Sequence, residues 1–250
     1  MSSIPVAVQL YSVREAFAQD AVGTLQQVAR MGYAGVEFAG YAGLSARELR
    51  RLLEDCGLAV AGTHLPIDSL LGDEFERTVE FNRTLGNRFL IVPWLPDDWR
   101  ASRAAWQRTA ERFNAIAERL APHGMYVGYH NHHVEFTPLD GETFWEVLFR
   151  STVPSVVMQG DTGNALRAGV DVTSMFARFP GRALTVHLKE YARDKPLALL
   201  GEGEVDWPQV FRACETVGGT QWYIVEQEAY PCPPLESIAR CREALRRMGR

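Results

Sequence analysis

The chain has little of what usually marks a special environment. It carries four cysteines, Cys56, Cys214, Cys232 and Cys241, and none of them forms a CxxC pair. That speaks against a zinc knuckle or a dithiol redox centre. Cys56 falls in a helical pattern and reads as ordinary packing. No apolar run is long enough to span a bilayer. The start, MSSIPVAVQLYSVRE, has neither the basic beginning nor the uninterrupted apolar stretch of a secretory leader. A cytoplasmic location with reduced thiols is the expectation. Long basic blocks are also missing, and the formal net charge is -5. A phosphate-neutralising surface for nucleic acid is therefore not expected. No glycine-rich phosphate loop follows the first apolar run, and no linker or low-complexity tract divides the chain.

What is present has the balance of a globular domain, with 46% hydrophobic and 23% charged residues in 250. The pattern alternates short β-rich runs with longer amphipathic ones. The β-rich runs are IPVAVQL, AGVEFAG, LAVAGTHL, RFLIVPW, MYVGYH, SVVMQGD, ALTVHLK and QWYIVEQE. Between them lie helical stretches such as SARELRRLLEDCG, where Ser45 before Glu48 is a capping-box pattern and Gly57 a stop. A short helix is expected from Asp171 and another at DWPQVFRACETVG, with Asp206 as its N-cap and Pro208 in its first turn. Eight strand–helix pairs in this length predict a single (β/α)8 TIM barrel over residues 1–250. The rival, an open doubly wound sheet, lacks its phosphate loop.

In such a barrel, function gathers at the C-terminal ends of the strands. Those ends carry Gln9 and Tyr11, Glu37, His64, Pro93 and Trp94, then His130, Asn131 and His132. Gln159 and Asp161, His187 and Lys189, and Glu226 and Glu228 follow. Any one of these is ordinary surface chemistry. The last four strands, however, each deliver His, Asp or Glu at the same end. Strand alternation puts His130 and His132 on one face, His187 with Lys189, and Glu226 with Glu228. Two imidazoles and two carboxylates converging on the axis make a mixed N/O site that suits Mn2+, Fe2+, Co2+, Zn2+ or Mg2+. A cation there offsets the repulsion between Asp161 and Glu226. His130 and His132 are both candidates for the fifth-strand ligand. Trp94 is a candidate apolar wall for a sugar ring. His133 is expected to face solvent, and Trp207 to serve packing.

The segments GYAGVEF, GTHL, GYHNHHVEF, GDTGNAL, VHLKEY, LGEGEVDW and WYIVEQE, in that order, resemble the xylose-isomerase-like barrel superfamily. That superfamily covers sugar phosphate isomerase/epimerase proteins and endonuclease IV relatives. The resemblance extends over essentially the whole chain. It implies one divalent metal, commonly Mn2+, held by Glu, Asp, His and Glu from strands five to eight. The last three fall on Asp161, His187 and Glu226. The first falls on His130, a departure, because the family's sugar epimerases have Glu there. The resemblance also implies substrate-binding groups at Glu37, His64, Asn164, Lys189 and Arg193, and a homodimer is common among similar proteins.

The departure matters chemically. The family's epimerases remove a proton beside a carbonyl with one carboxylate and return it with another across an enediolate. Here Glu226 remains as a base, whereas a metal-bound His130 has no free lone pair for proton transfer. His132, Lys189 or Glu135 is available as an acid. The leading expectation is a metal-dependent isomerase/epimerase acting on a small unphosphorylated ketose or keto-polyol. A lyase of the inosose dehydratase or 3-keto-glycoside type is the alternative. DNA endonuclease chemistry is set against by the charge, and a non-catalytic sugar-binding barrel is the remaining rival.

Overall fold

A computed structural model describes residues 4–139 and 141–250. Among the described residues, eight parallel strands close into a barrel. They are β1 (Val6–Gln9), β2 (Gly35–Ala39), β3 (Ala59–His64), β4 (Phe89–Val92), β5 (Tyr126–His130), β6 (Val157–Asp161), β7 (Thr185–Leu188) and β8 (Trp222–Val225). Each pairs with the next in sequence, and β8 closes onto β1 through Val6 opposite Tyr223 and Val8 opposite Val225. Every strand lies between the barrel interior and the helical layer, so most strand residues are buried on both faces. That is why the sequence shows short, nearly continuous apolar runs rather than clean alternation. No helix among the described residues is long and apolar enough to cross a membrane.

The helices start and stop where their caps stand. Ser45 and Glu48 form a complete capping box on the helix Ala46–Cys56, and Gly57 ends it with φ 67°. Thr143 and Glu146 cap Phe144–Ser151 in the same way. Asp206 accepts from the Gln209 amide and opens Trp207–Ala213, with Pro208 in its first turn. One helix, Thr162–Arg167, was not legible from periodicity. It is only six residues long and its first four are buried, so it is too short and too enclosed to show an amphipathic period. Its N-cap is Asp161, whose Oδ1 accepts from the Asn164 amide at 2.7 Å.

The barrel interior is divided by height. At the N-terminal end, Ala7, Ala61 and Ile224 pack together, and Phe89, Ile91 and Val157 form a second apolar group. Gly128 belongs to this layer: a Cβ there would lie 2.5 Å from Ile91 Cδ1 and 2.9 Å from Val157. Above it the interior turns polar, with Gln9, Glu37, His130, Gln159, Asp161, Thr185, His187 and Glu226 all buried. The apolar plug closes the bottom and supports a polar floor at the end where the strand termini converge. Outside the barrel, Tyr129 faces the helices and is packed against Trp106, Phe113 and Trp145.

Candidate active site

Four strands bring one ligand atom each into a small volume. His130 from β5, Asp161 from β6, His187 from β7 and Glu226, just past β8, offer atoms that all lie within 4.8 Å of one another. Register explains the convergence: Asp161 is paired with His187 across β6 and β7, and all four residues are buried. Ligand bonds of about 2.0–2.2 Å put donor atoms around one ion roughly 3–4 Å apart, close to this spread. A stronger sign is Asp161. Its Oδ1 is used by the helix cap, while its Oδ2 is buried with no hydrogen-bond partner. An orphaned carboxylate oxygen beside two imidazoles and a second carboxylate fits a divalent cation.

The electrostatics follow from burial and crowding. Burial raises the Asp161 pKa; Lys189 draws it back and Glu226 raises it again, leaving it at about 7. Burial opposes the Glu226 charge too, yet Lys189 and His187 hold that carboxylate well below the usual range. His187 feels the reverse: burial pulls it down, but Glu37 and Glu226 carry it up to about 10. His130 is pushed well below its ordinary value by burial and by the imidazoles of His187 and His64. His132 falls to about 4, chiefly through burial, so it is neutral at pH 7.

Above the cluster opens a cavity of about 770 Å3, lined among others by Tyr11, His64, Trp94, His130, His132 and Glu226. Apolar walls with a few convergent polar groups suit a small organic ligand. Trp94 is 46% exposed at its edge, with the Arg100 guanidinium 3.9 Å over its ring. The His132 ring meets Trp94 edge-on at 5.2 Å and His130 at 5.1 Å, and its Nδ1 has no partner. Lys189 Nζ stands 3.3 Å from Glu226 Oε2 and 4.0 Å from Asp161 Oδ2, and it also pairs with Glu228. Burial works against its charge, but these three carboxylates raise its pKa. It is therefore a fixed ammonium at the rim.

Not every residue singled out from the sequence reaches this cavity. Glu37 is fully buried beneath it, with its oxygens taken by Gln9, Gln159 and His187; it holds other side chains rather than a ligand. Arg193 is exposed in an adjoining cavity that also takes in Asn164, Lys189 and Glu228. Asn164 is itself buried and donates from Nδ2 to the Asn131 carbonyl at 3.3 Å. Glu135 is not a free acid: it accepts from Tyr129 Oη and from the His132 amide, both at 2.8 Å. It braces the loop that carries His132. His133 is exposed and Trp207 is buried in the helical layer.

The floor under the cluster is close-fitting. Gly62 on β3 faces Glu37, and a Cβ there would stand 2.6 Å from Oε1. Gly62→Ala is expected to push that carboxylate aside and loosen its hold on His187 and Gln159. The added methyl meets the far end of a side chain rather than backbone, so the circular dichroism spectrum should be kept. Metal affinity should fall by about 10–100-fold, the usual cost of disturbing a partner behind a ligand. An unchanged dissociation constant would show that Glu37 does not support the cluster.

Comparison with known proteins agrees with this fold. The xylose isomerase-like TIM barrel family matches residues 25–248, and the chain belongs to that family. It is 25% identical to the rhizopine catabolism protein MocC of Rhizobium meliloti, over 90% of this chain and 80% of that protein. It is 22% identical to an inosose dehydratase of Geobacillus thermodenitrificans, over 89% and 87%. Among solved structures it is similar in fold to a sugar phosphate isomerase/epimerase of Parabacteroides distasonis. That match has a TM-score of 0.85 and 22% identity, and covers 98% of this chain and 94% of the other.

Proposed function

We propose that this barrel is a divalent-metal-dependent sugar isomerase/epimerase that removes the proton next to the carbonyl of a ketose or keto-polyol, with Glu226 as the base. The observation that carries the reading is the junction of cluster and cavity. Glu226 belongs to the buried ligand group and also lines the pocket above it. His130, Asp161, His187 and Glu226 would hold the ion; a mixed N/O set suits Mn2+, Fe2+, Co2+ or Zn2+, and the family resemblance favours Mn2+. When bound, it would supply Lewis-acid polarisation of the substrate oxygens and so make the carbon acid stronger. That help is needed, because a carboxylate held as deeply ionised as Glu226 is a weak base.

The other groups take roles from their positions. Lys189 is a permanent positive charge 3.3 Å from Glu226, placed to stabilise negative charge as it develops on an enediolate. His132 is neutral and its ring lines the pocket, so it can donate to or accept from a substrate hydroxyl. Trp94 and the Leu65–Ile67 wall shield the apolar face of a ring.

A second reading is elimination. It is favoured by one observation: the position opposite Glu226 is an imidazole, His130, and not a carboxylate. Proton return on the other face then lacks its usual base, whereas loss of a hydroxyl assisted by His132 needs only one carboxylate. The relatives named as inosose dehydratases are of that type.

Solvent exchange tests both. With Mn2+ and a panel of ketoses, inososes and 3-keto-glycosides in D2O, proton NMR is expected to show the signal beside the carbonyl disappearing. An isomer or epimer of unchanged mass supports the first reading, and loss of water supports the second. No exchange with any substrate, in protein shown to contain the metal, would sink both.

A further inference from the structure

Gln159 lies on β6 in register with His130 and two residues before Asp161. It is fully buried under the cluster. Its amide Nε2 donates to Glu37 Oε1 at 2.8 Å and to Thr185 Oγ1 at 3.0 Å. Its Oε1 faces His64 Nε2 at 2.6 Å and His130 Nδ1 at 3.1 Å. A primary amide has two N–H donors and an oxygen with two lone pairs, so its whole capacity is in use.

Glu37 decides which way that amide points. It also receives Gln9 Nε2 at 2.8 Å and His187 Nε2 at 2.6 Å. An ionised carboxylate only accepts, so the Gln159 atom facing it must be the NH2 group. The amide oxygen is then turned to the two imidazoles, and each must offer it an N–H. His130 carries its proton on Nδ1 and His64 on Nε2. The His130 lone pair is left on Nε2, the nitrogen 3.9 Å from Asp161 Oδ2. The Glu37 carboxylate likewise holds a proton on His187 Nε2, so the proton that a cation would displace from this ring is the one on Nδ1, facing Glu226.

We propose that Gln159 is a positioning residue that sets the tautomer of His130 and, together with Glu37 Oε2 at 3.2 Å from His64 Nε2, that of His64, and so selects the nitrogen that each presents to the pocket. The part concerning His130 as a ligand rests on the metal-dependent reading above. The tautomers themselves are a property of the protein before any ion binds. The strand-five imidazole therefore depends on an outer partner that a carboxylate in its place would not need, because both carboxylate oxygens are lone-pair donors whichever way they turn.

The test is long-range 1H–15N NMR of histidine-labelled, chelator-treated protein, with signals assigned through His64→Asn and His130→Asn. Wild type is expected to show His130 protonated on Nδ1 and His64 on Nε2. Gln159→Met keeps the bulk and removes the amide; His130 should then populate both tautomers, and the Co2+ dissociation constant should rise by about 10–100-fold. Thr185→Val removes a contact but leaves the Glu37 link, so it should keep the wild-type tautomers. His130 protonated on Nε2 in wild type, or an unchanged tautomer in Gln159→Met, would overturn the proposal. Should Gln159→Met fail to fold, the wild-type and Thr185→Val spectra still decide. Correct tautomers without any proton exchange on substrates would count against the functional reading alone, and exchange with the wrong tautomers would count against this inference alone.

Discussion

Glu226→Gln is expected to lower kcat by roughly a thousandfold, within the range by which a positioned general base accelerates proton transfer. The substitution is nearly isosteric. The amide oxygen can still face the ligand cluster, and the side chain stays in its buried place beside His187 and Lys189. What goes is the capacity to take a proton, together with one negative charge of the proposed ligand group, so the variant is assayed with metal in excess. Because that capacity is used on the way to the transition state, the loss should fall on kcat with little change in KM. The fold should persist, since Lys189 keeps its contacts with Glu228 and Asp161. The decisive measurement pairs turnover and solvent exchange with metal content for the same sample. Near-normal turnover in a metal-loaded Glu226→Gln protein would remove Glu226 from the role of base. A variant that loses the metal as well shifts the question to Asp161, which is a ligand candidate without a base role.

The barrel was legible in the sequence because its strands are buried on both faces and its helices are amphipathic and capped. Ser45 with Glu48, and Asp206 with Pro208, stand where the helices begin. The convergence of the four candidate ligands was legible for a different reason. Strand alternation and a shared barrel end are enough to send His130, Asp161, His187 and Glu226 inward without knowledge of any contact. Glu37 shows where that logic stops. It has the same signature as a ligand or substrate group, an acidic residue near a strand end, but it sits lower on the axis, where the floor closes over it. Height within the barrel depends on strand stagger, which side-chain period does not carry. The Val36–Glu37 register shift against β3 adds to the difficulty. Gln159 was hidden by its chemistry: an uncharged amide at a strand end suggests little until its four partners are in view. Arg193 lies in the loop after β7, whose course no periodicity predicts, and the structure sets it in the side cavity.

Asp161→Asn is expected to abolish useful metal binding while making the chelator-treated protein more stable at neutral pH. Asn keeps the Oδ1 that caps Thr162–Arg167, so the helix loses nothing. The orphaned, buried Oδ2 becomes a neutral amide nitrogen, and the centre loses a charged ligand. The metal dissociation constant should rise by more than the roughly 10–100-fold that outer partners cost. The stability effect has a definite sign. In the folded protein, burial and Glu226 keep the Asp161 proton on up to about 7, whereas an unfolded Asp releases it near 3.9. Between those values the folded state binds the extra proton, so raising the pH through this window destabilises the wild type, by up to about 1.4 kcal/mol per pH unit. Asn has no such titration. Melting temperatures measured from pH 4 to 8 with chelator should therefore diverge as the pH rises, with the variant higher, and the gap should stop growing above about pH 7. Adding Mn2+ should reverse the order, because binding to the folded state stabilises only the protein that can hold the ion. Parallel melting curves in chelator, or an equal gain from Mn2+ in both proteins, would count against Asp161 both as a destabilised buried carboxylate and as the proposed ligand.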